Sequence, residues 1–252
     1  MTQSRESLIS LSDTPYYHCI SRCVRRAFLC GDDRYTGQSF EHRRQWVIER
    51  IRYLTDVFSI EVGAYAIMTN HYHLVLYVNE SELANPTNNE ICERWSKIYS
   101  LSPIVVRWQK GELNSESQKE VAISVIAEWR SRLSSISWFM RCLNEFIARK
   151  ANKEDKCKGR FWEGRFKSQA LLDEKALLTC MAYVDLNPIR AKMSASVDES
   201  EYTSVFERIH NKSHHTENKD KAGCKSLVKF IGAEHKHQSQ GTCFTSNVRL
   251  RQ

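Results

Sequence analysis

The feature that most constrains the fold is a pair of histidines inside a long run of strand-forming residues. His71 and His73 lie two positions apart within residues 64–78, a segment rich in β-branched and aromatic side chains. Because side chains alternate between the two faces of a strand, both imidazoles point one way and the intervening Tyr72 points the other way. Two imidazoles on one strand face are able to bind a single divalent metal ion. Two half-buried histidines without a ligand are the alternative, and the pair alone does not exclude it.

A second polar pair lies more than a hundred positions later, on a predicted helix. Asp173 is a favourable N-cap, and Pro188 disfavours helix at the preceding residue, so the helix is predicted to begin after Asp173 and to end near Asn187. Tyr183 and Asn187 are four residues apart and therefore share one helix face. The opposite face is predicted to anchor the helix in a core through four large apolar residues, Leu177, Leu178, Met181 and Val184.

Together these motifs resemble those of a known protein family. His71-Tyr72-His73 resembles the HUH motif, and Tyr183 with Asn187 resembles the tyrosine and the third metal ligand of HUH single-tyrosine transposases. The similarity extends to the REP-associated tyrosine transposase branch through three further segments, Tyr17-His18-Cys19-Ile20-Ser21-Arg22, Gly31-Asp32-Asp33-Arg34-Tyr35 and Asn187-Pro188-Ile189-Arg190-Ala191.

The resemblance implies an α+β fold. In that fold a ferredoxin-like antiparallel sheet carries the HUH motif on a central strand, with helices on one face and the tyrosine on a C-terminal helix. The transposase domain would span residues 1–197, including a predicted helical insertion over residues 79–130. Residues 198–252, a polar stretch that includes a second His-x-His at His235 and His237, are predicted to form a flexible tail.

The resemblance also implies a metal-dependent reaction on single-stranded DNA. Tyr183 would attack a phosphate beside a palindromic hairpin of the repetitive extragenic type and form a 5′-phosphotyrosine intermediate, which a second 3′-hydroxyl resolves. His71, His73 and Asn187 would hold Mg²⁺ or Mn²⁺. Two other classes stay open, a non-cleaving hairpin-binding regulator and an HUH replication-initiator or relaxase nuclease. The sequence does not distinguish a monomer from a homodimer.

The basic segment over residues 149–167 is the main candidate for nucleic-acid contact. It holds eight basic residues against three acidic ones, with Phe161, Trp162 and Phe166 interleaved. Such a pattern is typical either of charges on phosphates with aromatics stacked on bases, or of a strand whose aromatics face the core. The resemblance favours DNA contact by the charges and core packing by at least one aromatic. The predicted DNA-binding residues are Arg22, Arg25, Arg26, Lys158, Arg160, Trp162, Arg165, Lys167 and Arg190.

Composition limits the remaining classes. A net charge of +7 over 252 residues agrees with a polyanionic partner without requiring one. No apolar run approaches the roughly 20 residues of a membrane span, and the N-terminal residues do not resemble a secretory signal. The nine cysteines include no Cys-x-x-Cys pair. We therefore expect reduced thiols in a cytoplasmic protein that does not enter a membrane.

Hydrophobic periodicity predicts most of the remaining elements. Strands are expected over residues 16–24, 59–68 and 72–78, a helix over 40–55 and a short helix over 91–99. A long helical pattern over 126–147 predicts either one core-packing helix or two with a break near Ser134-Ser135. The arginines of the first helix, Arg43, Arg44, Arg50 and Arg52, are expected on a solvated face.

Overall fold

A four-stranded antiparallel sheet forms the centre of the fold. The computed structural model describes residues 8–24, 28–33, 35–211 and 227. The strands are β1 (Tyr16–Arg22), β2 (Ile60–Ile67), β3 (His71–Val78) and β4 (Lys167–Ala170). In the described ranges the α-helices are α1 (His42–Val57), α2 (Asn88–Ser96), α3 (Pro103–Gln109), α4 (Glu116–Leu133), α5 (Ile136–Glu154), α6 (Glu174–Asp185), α7 (Asn187–Arg190) and α8 (Ser204–Asn211), with a 3₁₀ turn at Glu80–Leu83.

The strand order confirms the predicted fold class. Neighbouring strands run β2-β3-β1-β4, and each pair is antiparallel. With α1 between β1 and β2, and α5 before β4, this is the β-α-β-β-α-β arrangement of a ferredoxin-like fold. β3, which carries the histidine pair, is a central strand as predicted. It is hydrogen-bonded on both sides, so its side chains are held more rigidly than those of a loop.

Helices cover both faces of the sheet, whereas the resemblance implied one. Helices α1 and α5 pack on one face, in the main apolar cluster that also contains Tyr17 and Leu74. On this face Tyr72 is fully buried and donates a hydrogen bond to Oδ1 of Asn144 on α5, at 2.6 Å. Helix α6 packs on the other face, in a smaller cluster with residues of β2 and β3. The tyrosine helix and the two other helices therefore lie on opposite sides of the strands.

Helices α2, α3 and α4 form a unit between β3 and α5, where the helical insertion was predicted. Both α2 and α3 contact α4, and the Trp95 and Trp129 rings stack with centroids 5.5 Å apart. Helix α3 was not predicted, since its seven residues are too few to show a clear period. Of the two alternatives for residues 126–147, the structure has two helices with a break, because α4 ends at Leu133 and α5 begins at Ile136.

The expectation of a solvated arginine face on α1 is wrong for two residues. The Arg43 side chain is fully buried, and it forms ion pairs with Glu154 and Asp155 at the end of α5. Arg44 is 7% exposed and pairs with Glu41 on the same helix turn. Both guanidinium groups therefore hold elements together, and neither is available to bind DNA.

The predicted flexible tail begins too early, because the part from Tyr202 to Arg208 contacts strand β2. Strand β2 is an edge strand, and Ser204 covers it by accepting a hydrogen bond from the backbone amide of Tyr65 at 3.0 Å. Arg208 donates to the carbonyl of Gly63. Polar side chains here satisfy backbone groups that an open edge would expose. His235 and His237, with most of the remaining predicted tail, lie outside the described residues.

Candidate functional site

The histidine pair faces the tyrosine helix. His71 and His73 lie on the same face of β3 as Val75, which belongs to the apolar cluster under α6. The two imidazole centroids are 4.9 Å apart. His73 is 3% exposed, whereas His71 lies partly open at the end of the strand. The strand thus places the two imidazoles side by side on the face covered by α6, as the alternation of side chains along a strand predicted.

Helix α6 presents its tyrosine because its apolar stripe is anchored elsewhere. The side chain of Asp173 caps the first turn by accepting from the backbone amide of Ala176 at 2.7 Å, which confirms the predicted start. Three residues of the stripe are buried against the sheet, namely Leu177, Met181 and Val184. Leu178 was predicted with them but is 41% exposed, since it lies at the margin of the stripe. Tyr183 is 40% exposed.

The Tyr183 ring stands edge-on beside the imidazoles. Its centroid is 5.7 Å from that of His73, with the ring planes at 84°. The guanidinium carbon of Arg190 lies over the tyrosine ring, 5.2 Å from its centroid. The tyrosine and both histidines therefore come together within one chain, and a cation lies against the tyrosine ring.

Asn187 lies at the start of the next helix and points at the histidine pair. Helix α6 ends at Asp185, two residues before the predicted end, and the short α7 begins at Asn187. The carboxamide nitrogen of Asn187 lies 3.1 Å from Nε2 of His73. The carboxamide is thus in contact with one histidine of the pair.

His18 on β1 is a site residue that the sequence reasoning did not assign. It pairs with Val75 across β1 and β3, so its side chain falls on the histidine face, diagonal to His73. Its Nε2 lies 2.9 Å from Nδ1 of His73, in a buried contact. Only the register of β1 against β3 reveals this neighbour. The only signal available in the sequence was a histidine inside a predicted strand, where alternate side chains share one face.

Burial keeps the imidazoles neutral. Desolvation, together with the neighbouring His71 and His18, lowers the pKa of His73 from 6.5 to about 3. Desolvation also lowers the pKa of His71, with a contribution from Arg22, and lowers that of His18. Neutral imidazoles keep a lone pair on one ring nitrogen, which is the form that binds a metal ion.

The residues at this point fit a divalent metal ion. Within the described part of the chain, no three His, Cys, Asp or Glu side chains are grouped to hold one. The Asn187 carboxamide, whose nitrogen lies 3.1 Å from Nε2 of His73, is the candidate for a third ligand beside the two histidines. Exchanging the amide nitrogen and oxygen, which have nearly the same shape, turns this contact into an oxygen ligand.

The predicted basic residues surround this end of the sheet. Arg22 lies directly across from His71, and Lys167 lies across from Ile20 on the same face. The side chains at Lys158, Arg160, Arg165 and Arg190 are also exposed. Two of the predicted DNA-binding residues, Arg25 and Arg26, lie outside the described residues.

Trp162 was predicted to bind DNA, but the structure buries its side chain. It is 9% exposed, and its Nε1 donates to the carbonyl of Asn144 at 2.8 Å. Its ring packs edge-on against Tyr72, with centroids 5.7 Å apart. The two neighbouring aromatics, Phe161 and Phe166, are buried as well. The aromatics of the basic segment therefore anchor it to the core, and only its charges face outward.

One solved structure of a DNA-bound protein is similar to this chain. A structure of a REP-associated tyrosine transposase bound to a REP hairpin aligns over 92% of this chain and 99% of that chain, with a TM-score of 0.48 and 13% identity. No protein-family model and no curated protein matches the sequence. At this level of similarity, the function has to be inferred from the side chains themselves.

Proposed function

We propose that this chain is a metal-dependent transposase or endonuclease that cleaves and rejoins single-stranded DNA beside palindromic hairpins. The observation that carries the proposal is the half-exposed phenol of Tyr183 against two neutral histidines and a carboxamide. A tyrosine buried for packing alone has no need of these neighbours. The motifs that resemble HUH single-tyrosine transposases supply the reaction class.

The metal ion would be Mg²⁺ or Mn²⁺, held by His71, His73 and Asn187. Imidazole ligation suits Mn²⁺, whereas Mg²⁺ prefers oxygen ligands, so both ions belong in any assay. When bound, the ion supplies positive charge that offsets the charge of the phosphate and orients it for in-line attack. The positions not taken by the three side chains are left for phosphate and water.

Tyr183 is the proposed nucleophile. Its hydroxyl oxygen, after losing its proton to water, would attack phosphorus and form a new P–O bond. The bond between phosphorus and the 3′-oxygen breaks, and that oxygen leaves as a hydroxyl after taking up a proton. Arg190, whose guanidinium carbon lies 5.2 Å from the centre of the Tyr183 ring, would attract the phosphate. The product is a 5′-phosphotyrosine, which the 3′-hydroxyl of another strand reverses, so strand transfer needs no ATP.

The exposed basic residues would hold the DNA. Arg22 and Lys167 lie on the histidine face of β1 and β4, beside the site. Charges on this surface track phosphates and bind without reading sequence. The proposed substrate is therefore a hairpin with an adjoining single strand that crosses this face toward Tyr183.

Covalent trapping tests this function. Wild-type protein with labelled hairpin DNA and Mn²⁺ should give a protein–DNA adduct that survives denaturant, and EDTA should remove it. The variant Tyr183→Phe should give none. Tyr35→Phe is the matched control, because Tyr35 is fully exposed and outside the site. A hairpin that binds tightly but never forms an adduct would favour the non-cleaving regulator instead.

A further inference from the structure

Both histidines of the candidate metal site are held by a hydrogen bond at the same ring nitrogen. Nδ1 of His73 lies 2.9 Å from Nε2 of His18, and Nδ1 of His71 lies 2.7 Å from Oδ1 of Asn70. The proposed metal-binding contact of His73 uses its other nitrogen, Nε2. Each imidazole thus has a hydrogen-bond partner at Nδ1. In His73 this is the ring nitrogen that does not contact the Asn187 carboxamide.

These contacts bear on which nitrogen carries the hydrogen. A neutral imidazole has one N–H donor and one bare acceptor nitrogen, so a bond at Nδ1 determines the state of Nε2. With Oδ1 of Asn70 facing the ring, as in this structure, His71 donates from Nδ1 and keeps a lone pair on Nε2. For His73 either ring of the His18 contact could be the donor. Only donation by His73 leaves its Nε2 bare.

We propose that His18 and Asn70 are positioning residues that hold His73 and His71 as Nδ1–H tautomers, with both Nε2 lone pairs available to a divalent cation. The inference rests on the proposed function, since it concerns the same site. His18 is suited to the role because it lies on a neighbouring central strand and is 7% exposed. Asn70 is suited because it adjoins His71 in the turn before β3. Such outer contacts fix ligand orientation in metal sites.

Nitrogen NMR of the metal-free protein tests the tautomers directly. Long-range ¹H–¹⁵N correlation of the imidazoles should show Nδ1–H for both His71 and His73 in the wild type. In His18→Leu, His73 should lose that preference, while His71 keeps it. Finding Nε2–H at His73 in the folded wild-type protein would overturn the proposal without any variant.

Metal affinity gives the second measurement, made without DNA. His18→Leu and Asn70→Leu should each weaken Mn²⁺ binding by about 10–100-fold, measured by titration calorimetry. His18→Gln and Asn70→Asp place an oxygen acceptor near the lost one, and they should recover most of the affinity. His210→Leu removes an exposed histidine on α8 and should leave binding unchanged. Wild-type affinity in His18→Leu would contradict the proposed role.

The outcomes separate this inference from the proposed function. If His18→Leu does not fold, the wild-type tautomers and the recovery by His18→Gln still decide. Expected tautomers and Mn²⁺ affinity with no DNA adduct in the wild type would leave the positioning role standing and remove the transposase proposal. If the wild type forms DNA adducts but has His73 in the Nε2–H form, the transposase proposal stands and the positioning role is removed.

Discussion

At the scale of single residues, the candidate site combines buried and exposed groups that do different work. His73 is nearly inaccessible, and its low pKa keeps it neutral far below pH 7. Tyr183, by contrast, is open to solvent on one side and beside the Arg190 guanidinium on another. The imidazoles can therefore serve as fixed ligands, while the phenol remains accessible to a strand arriving from solution.

Removing one ligand should separate chemistry from DNA binding. His73→Ala is expected to abolish Mn²⁺-dependent cleavage, because two ligands no longer fix the ion. Hairpin affinity should stay close to wild type, because the charges that contact phosphates are elsewhere. Gel-shift titration and the adduct assay measure the two effects. Loss of hairpin binding along with cleavage would indicate that the histidine is structural.

Arg43 is expected to contribute strongly to stability, although its helix carries a charge pattern that suits a solvent-exposed face. Replacing it by Met leaves Glu154 and Asp155 without their buried partner, which should cost about 3 kcal/mol of unfolding free energy. Arg149→Met is the matched control, because Arg149 pairs with Glu145 while 79% exposed and should matter by less than about 1 kcal/mol. Urea unfolding of both variants measures the difference, and equal midpoints would contradict this account.

At the scale of secondary-structure elements, helix α6 is the element that positions the proposed nucleophile. Its orientation depends on Leu177, Met181 and Val184 packed against β2 and β3, and on the Asp173 cap. Asp185 adds a contact to Ser204 of the segment that covers the sheet edge. The helix is therefore anchored at its start, along its inner face and at its end.

Two adjacent leucines test which face of α6 is anchored. Leu177→Ala should cost about 2–5 kcal/mol of unfolding free energy, since the side chain is 5% exposed and its loss leaves a cavity. Leu178→Ala should cost less than about 0.5 kcal/mol, because its side chain is 41% exposed. Thermal or urea unfolding compares the two. A larger loss for Leu178 would mean that the helix is rotated from the orientation described here.

Local patterns predicted β1, β2, β3, α1, α2, α5, α6 and the C-terminal part of α4, but they missed β4, α3, α7 and α8. Strand alternation put His71 and His73 on one face, and helix spacing put Tyr183 and Asn187 near each other. The role of His18 depends on how β1 aligns with β3, and no local period encodes that register.

The same reason accounts for the errors. The Arg43 carboxylate partners lie more than a hundred residues away, so its burial could not be seen in a helical pattern that suits a solvated face. Trp162 lies in a segment where charges and aromatics alternate. That pattern suits either aromatics stacked on bases or a strand whose aromatics face the core. The bridge between Trp162 and Cys23 next to β1 fixes which side of that segment faces the core.

At the scale of the whole molecule, the net positive chain carries exposed basic residues beside the candidate site. Arg22 at the end of β1 and Lys167 at the start of β4 lie on the histidine face of the sheet. The α2–α4 unit carries basic residues too, but it packs with the helices on the other side of the sheet. The DNA surface is therefore expected around β1 and β4.

Charge removal tests this placement. Replacing Lys158, Arg160, Arg165 and Lys167 by Gln should weaken hairpin binding. If all four contact phosphates, the slope of log K against the logarithm of salt concentration should fall in magnitude by up to about 3. The control replaces Lys97, Arg107, Lys110 and Lys119, which removes the same charge from the α2–α4 unit. Fluorescence titration over a range of salt concentrations measures both slopes. Equal losses in the two variants would indicate a general charge effect and not this surface.

The most direct test of the account is to identify the amino acid that carries the DNA. After reaction with Mn²⁺, the adduct is digested with protease and nuclease, and the nucleotide-bearing peptide is sequenced by tandem mass spectrometry. The account predicts a phosphodiester on Tyr183, joined to the 5′ end of the released strand. Attachment at another residue, or through a 3′-phosphate, would contradict it.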